Sequence, residues 1–317
     1  MNYVVSHWSA AWPVLVCYAA ITAVHLTGLR RLTVAGWTPR DALASDQAKG
    51  RRREAVIFHL GLLTACLALV SPIVYWSGKY IWVRSVQDLA LGVVAPSLIV
   101  LGAPWLALRQ GLPRAPAQRP DDEPVLGNGH AAVVRVRWWL AWPVGVTAAF
   151  NIVWLGWHVP ALYDLTVRDA VAGYAESVMF LGAGILFWLQ LIGSRPWSPR
   201  SSPLRRLALL TGTIAADMLL GIVLVFGTGL VYAAYRGSAH HLLAAVADQQ
   251  VGGGVLWMGA LPSFMVAAVA LLNAWLKNDE SDDLSADLDR LSGQRPAGAW
   301  SGGSAWPARP GYRRRTI

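Results

Sequence analysis

An all-α bundle that crosses a membrane is the fold class this sequence predicts, on three observations. Seven long apolar stretches divide the 317 residues, Lys and Arg collect in alternate connections, and Trp and Tyr mark the ends of the stretches. A helix rising ~1.5 Å per residue needs about 20 residues to cross a ~30 Å hydrocarbon core, and each stretch reaches that length. Helices satisfy their own backbone groups in lipid, which strands of this length and apolarity do not.

The spans run Trp8 to Leu29, Ala55 to Trp76, Val86 to Leu108, Trp138 to Val159, Val171 to Ile192, Leu207 to Val231 and Val251 to Leu276. The first ends at Arg30 and Arg31 without a small-residue cleavage site, and no basic residue precedes it, so it reads as a retained helix rather than a signal peptide. The third contains Gly92, Pro96, Gly102 and Pro104, and a proline inside a helix removes a backbone bond and bends it. The seventh opens on Gly252, Gly253 and Gly254, small residues that let helix backbones approach closely. Residues 1–277 form the seven-helix domain on this reading. Residues 278–317 read as a disordered cytoplasmic tail, acidic at first and ending on Arg313, Arg314 and Arg315. The stretch Arg114 to Pro124 reads as a mobile loop rich in proline and charge.

Orientation follows from the basic residues. Of 27, only Lys79, Arg84, Arg168 and Arg236 fall outside the first, third and fifth connections and the tail. The positive-inside rule then puts the amino terminus outside and the carboxyl terminus in the cytoplasm, as an odd number of crossings requires. Trp8, Trp12, Tyr75, Trp76, Tyr80, Trp82, Trp157, Tyr232 and Tyr235 form the outer aromatic belt on this reading, and Trp105, Trp138, Trp139, Trp188 and Trp275 the inner one.

A hydrophobic content of 55% against 14% charged residues excludes an ordinary soluble domain. The net charge of +9 follows from topology and from attraction to anionic lipid, and no reader motif for nucleic acid accompanies it. Cys17 and Cys66 lie in different spans without a CxxC pair and read as small buried residues. No nucleophile elbow, phosphate loop, HExxH or paired-carboxylate motif occurs in a suitable context, so the chain does not read as an enzyme.

Ionisable side chains inside a span are costly and mark the positions to examine. Three acids qualify: Asp88, Glu176 and Asp217, of which Asp217 is far from both surfaces. Asp88 follows Arg84 by four residues, the spacing of an ion pair on one helix face. The expected outer side also gathers Trp157, His158, Tyr163, Asp248 and Gln249, together with His7, His240 and His241. Neutral imidazole is a metal ligand, so His158, His240 and His241 are the candidates for holding a metal. His25 and His59 lie toward the other half.

The ordered polar signatures resemble the CtaG family of bacterial cytochrome c oxidase assembly factors. They are Leu69-Val70-Ser71-Pro72, Val94-Ala95-Pro96, Leu101-Gly102-Ala103-Pro104, Phe150-Asn151, Trp157-His158-Val159-Pro160-Ala161-Leu162-Tyr163-Asp164, Phe180-Leu181 with Gly184 and Phe187-Trp188, and Asp248-Gln249-Gln250 with Gly253. The resemblance implies a multi-pass protein of the bacterial plasma membrane that helps an oxidase mature at its copper centres. Its partners would be oxidase subunits or other assembly factors, and copper the one cofactor to consider. The family carries histidine pairs at i and i+4 at the start of the third and fifth helices. Here Arg84 and Asp88, then Gly173 and Ser177, stand there instead. That departure points to a divergent member acting by protein contact, or to metal held by His158, His240 or His241. Two other readings stay open: a proton-coupled transporter using Asp217 and Glu176, and a ligand-free interaction subunit of a membrane complex.

Overall fold

The computed structural model describes residues 7–8, 11–34, 42–113, 142–194, 197, 199, 201–237 and 244–293. All regular elements among these are helical: α1 (Trp12–Val34), α2 (Ala42–Val70), α3 (Ile73–Ser77), α4 (Ile81–Leu89), a π-helical turn (Ala90–Val94), α5 (Ala95–Leu101), α6 (Trp105–Gly111), α7 (Pro143–Trp157), α8 (Pro160–Arg168), α9 (Ala170–Leu191), α10 (Pro203–Phe226), a 3₁₀ turn (Ala233–Tyr235) and α11 (Ala245–Gly293). Six helices are long and apolar enough to cross a membrane, or seven when α7 and α8 are taken as one bent span. The protein is a multi-pass all-α membrane protein.

The fourth crossing, expected from Trp138 to Val159, ends in the structure where the apolar run ends. Its described part begins at Pro143, where a proline at the first helical position sacrifices no backbone bond. It stops at Trp157, and after His158 and Val159 the chain turns by 67° into α8. The residue before a proline is pushed out of the helical region, and Val159, ahead of Pro160, is extended at ψ 131°. Fifteen residues rise only ~22 Å.

The third crossing is broken in the way its glycines and prolines suggest, but the first break is a π turn rather than a simple kink. Pro96 has no N–H to give to Gly92 O, and the helix widens over Ala90–Val94, where the Ala95 N–H bonds back to Ala90 O. The second break, Gly102 to Pro104, carries Ala103 at φ 40° and is pinned from α9's end. There Ser194 Oγ donates to Val100 O at 2.7 Å and receives the Trp105 indole N–H at 2.8 Å. Close backbone approach fixes α6 against α1, since a Cβ on Gly28 would sit 1.7 Å from Ala107 O and one on Gly111 1.9 Å from Val24 O.

Residues 1–274 form one compact unit and 275–317 a second. In the first, the core is aromatic along α7 and α9: Phe150 stacks on Phe187 at 4.6 Å, and Trp154 meets Phe180 at 5.0 Å. In the second, α11 continues to Gly293, where the sequence suggested an unfolded tail from Asn278; residues 294–317 lie outside the described residues. The loop from Arg114 to Pro124, Trp138 and Trp139 also lie outside them.

Several expected surface positions are interior. Tyr232, Tyr235 and Trp188 are buried, so these three belong to the core rather than to an aromatic belt. Hydropathy scores an interfacial and a buried aromatic alike, and only packing separates them. Of the two cysteines, Cys66 is buried as expected but Cys17 is exposed on α1, and both are free thiols.

Candidate functional site

One end of the bundle collects most of the polar residues singled out in the sequence. The starts of α4, α9 and α11 and the ends of α7, α8 and α10 meet there. All but α10 contribute a side chain that would be expensive to bury alone, and α10 offers the backbone carbonyl of Leu224.

Arg84 is the centre. Its guanidinium pairs with Asp88 on the same helix face, Nε to Oδ1 at 3.2 Å, and its Nη2 pairs with Glu176 of α9. The same nitrogen donates to Thr166 Oγ1 of α8 at 2.8 Å, and the guanidinium carbon lies 5.7 Å from the Tyr163 ring centre. All four partners are buried. The i, i+4 spacing announced the Arg84–Asp88 pair, whereas nothing in the sequence announced that Glu176, singled out only as a costly acid, and Thr166 would join it, because register between helices is not a local property.

His158 adds a second polar face. Its Nδ1 lies 2.7 Å from Trp154 O, and a carbonyl only accepts, so Nδ1 carries a proton and, in the neutral ring, Nε2 presents a lone pair. That lone pair faces Asp88 Oδ2 at 3.8 Å. Tyr163 stacks on Tyr232 at 3.9 Å, Tyr232 donates its hydroxyl to His158 O at 3.2 Å, and Tyr235 donates to Ser77 O at 2.6 Å.

Asp248 and Gln249 tie this end together. The Asp248 carboxylate accepts from the N–H groups of Ile81 at 2.7 Å and Trp82 at 3.2 Å, so α11 caps the otherwise unpaired first turn of α4. Gln249 accepts from Val231 N–H at 2.6 Å and donates to Gly229 O at 3.2 Å, which closes the loop after α10. Asp164 accepts from Ala234 N–H at 3.0 Å. Trp157 is half-buried against the core.

Asp217 does not join this cluster directly. It accepts the Trp154 indole N–H at 3.0 Å, and Trp154 reaches it because Gly92 leaves room in the π turn, where a Cβ would come within 2.5 Å of the ring. His7 stacks on Tyr75 at 4.0 Å, apart from the cluster. His240 and His241 lie outside the described residues. Sequence reading also missed the pairing of His25 with His59, whose Nδ1 and Nε2 are 3.2 Å apart in the other half.

The donor set does not fit a copper ion. Among the described residues no three His, Cys, Asp or Glu side chains converge as metal ligands. His158 and Asp88 offer one nitrogen and one oxygen, and the fixed cation of Arg84 already occupies the space between Asp88 and Glu176. Gly173 and Ser177, at the second position where the resemblance implies histidines, are joined only by a Ser177 hydroxyl bond to Gly173 O at 2.8 Å.

Fold and site together define a polytopic helical membrane protein built around a buried arginine–dicarboxylate cluster. The model of the cytochrome c oxidase caa3 assembly factor family matches residues 14–278, and the chain belongs to that family. It is similar to an uncharacterised protein of Mycobacterium leprae, 28% identical over 236 residues, covering 68% of this chain and 34% of the relative. Uncharacterised proteins of Mycobacterium bovis and Mycobacterium tuberculosis are each 29% identical over 252 residues, covering 72% of this chain and 36% of theirs. The chain thus spans about a third of the length of these curated relatives. No solved structure matches it.

Proposed function

We propose that this chain is a plasma-membrane assembly factor for a respiratory cytochrome c oxidase, non-catalytic, and active by contact with oxidase subunits or other assembly factors. The observation that carries the reading is the family match over residues 14–278, which takes in all the candidate membrane-crossing segments except the first two residues of α1. The concentration of basic residues in alternate connections supports an amino terminus outside the cell and a carboxyl terminus in the cytoplasm. With that orientation the Arg84 end faces outward and supports maturation of the oxidase's copper centres from that side. Copper itself is not held at the cluster, because Arg84 supplies the positive charge there. The rigid tie of α4 to α11 through Asp248 keeps the outward surface in one shape for docking.

Deleting the gene tests the reading. Haem spectra of the membranes should lose the oxidase signal and oxidase activity should fall, both restored by the wild-type chain in trans. A deletion strain with a normal oxidase would refute it. Purified wild-type protein should contain no stoichiometric copper; one copper per chain, lost on His158→Ala, would replace protein contact with direct metal handling.

A further inference from the structure

One face of α7 carries a polar ladder that runs through the bundle and that docking to an oxidase does not require. Thr147, Asn151, Trp154 and His158 recur at intervals of four, three and four residues, which aligns them on a helix. Thr147 Oγ1 meets Gln190 Oε1 of α9 at 3.5 Å, and Asn151 Nδ2 donates to Thr213 Oγ1 of α10 at 3.0 Å. Trp154 Nε1 donates to Asp217 one turn further along α10, and His158 Nε2 faces Asp88. From Gln190 to Glu176 the ladder covers fourteen residues of α9, or ~21 Å of a ~30 Å hydrocarbon layer.

The rungs are not self-sufficient. Ten buried side-chain polar atoms among the described residues have no hydrogen-bond partner, and five of them lie on this ladder: Gln190 Nε2, Asn151 Oδ1, His158 Nε2, Asp88 Oδ2 and Glu176 Oε1. An unsatisfied polar atom inside a bundle surrounded by lipid costs more than holding a water in place. Water is the donor and acceptor that matches both kinds of orphan, amide N–H on one side and lone pairs on the other. The cluster at the end of the ladder adds a further demand. Written as ions, Arg84, Asp88 and Glu176 leave one negative charge over, with Tyr163, Tyr232 and Tyr235 as the neutral groups around it.

We propose that a file of ordered water threads this face of α7 and lets protons pass between the Gln190 end and the Arg84 cluster, with Asp217 as the acid midway. This goes beyond the assembly reading and does not depend on it. Each step moves one proton from a water or carboxyl O–H to a neighbouring lone pair. Asp217 gives a proton toward His158 and Asp88 and regains one from the Asn151 side, so no bond other than O–H or N–H changes and no charge is left behind. Asn151 and Gln190 position water and do not titrate.

The test uses the full chain in lipid vesicles containing a trapped pH dye, with a potassium gradient and valinomycin setting the voltage. Wild-type protein should acidify the lumen at least about tenfold faster than protein-free vesicles, and Asp217→Asn and Asn151→Leu should each return the rate to background. A wild-type rate equal to that of protein-free vesicles overturns the proposal. So does a rate left unchanged by both variants, since protons would then take another route. If either variant fails to fold, infrared spectra of the wild type in D₂O decide. Exchange of its buried-carboxyl stretch within minutes supports the water file, and persistence over hours overturns it.

Discussion

Arg84 concentrates the energetics of the site in one side chain. A buried guanidinium between two buried carboxylates gains little net energy as an assembly, but removing it strands two charges, at a cost of about 3–5 kcal/mol. Arg84→Met should therefore lower the melting temperature in detergent sharply, while Arg84→Met with Asp88→Leu and Glu176→Leu recovers most of the loss. A triple variant no more stable than the single one would contradict this account. Arg84→Lys should fall between, since an ammonium cannot keep the forked contacts to Asp88, Glu176 and Thr166 at once. Tyr232 and Tyr235 lie outside the crossing helices, and burial raises both phenols above the ordinary value of 10.0. The unfolded chain releases those protons near pH 10 and the folded chain keeps them. Their contribution is thus complete below about pH 10 and is lost as pH rises toward the folded values. Melting temperatures measured from about pH 8 to about pH 11 should fall along an alkaline limb that Tyr232→Phe makes shallower. At this scale the sequence told half the story. The spacing of Arg84 and Asp88 announced their pair, and the costliness of charge in lipid singled out Glu176 and Asp217. Which partner each found depended on helix register, which no local pattern encodes.

Breaks in the helices, more than their lengths, position the side chains that matter. The π turn over Ala90–Val94 and the absence of a side chain at Gly92 admit the Trp154 ring, and that ring in turn delivers an N–H to Asp217. Gly92→Ala would put a Cβ 2.5 Å from the Trp154 ring, an overpacking that costs about 1–3 kcal/mol. Its tryptophan emission should shift as the ring is displaced, and the change should be absent when Trp154 is already Phe. Pro96 made a disturbance of the third helix legible in the sequence. That the helix would widen rather than simply bend was not, because the choice depends on what packs into the gap. The capping of α4 by Asp248 was equally hidden, since donor and acceptor are separated by 167 residues. Asp248→Ala leaves the Ile81 and Trp82 N–H groups unpaired and should cost about 1–3 kcal/mol, with Asp248→Asn restoring part of it. Equal melting temperatures for Ala, Asn and wild type would show that water caps the helix as well.

The molecule as a whole was the most legible level, because hydrocarbon imposes its rules over many residues at once. Apolar runs of crossing length gave the helices, and at the fourth crossing the chain bends by 67° at Pro160, just beyond Val159 where the apolar run ends. Orientation is a consequence of the same averaging, and it can be measured. Twenty-three of the 27 basic residues lie on the side expected to face the cytoplasm, an asymmetry too large for a single substitution to reverse. Replacing Cys17 and Cys66 by Ala removes the two native thiols. Single cysteines then go in at Lys79 and at Arg205, two exposed positions that the reading assigns to opposite sides. A membrane-impermeant maleimide added to intact spheroplasts should label Lys79→Cys at once, and Arg205→Cys only after lysis. Because Lys79 lies in the short connection between α3 and α4, its labelling reports the side of the Arg84 cluster. The reverse pattern would turn the cluster toward the cytoplasm, and contact with an oxidase from outside the cell would no longer be physically available to it.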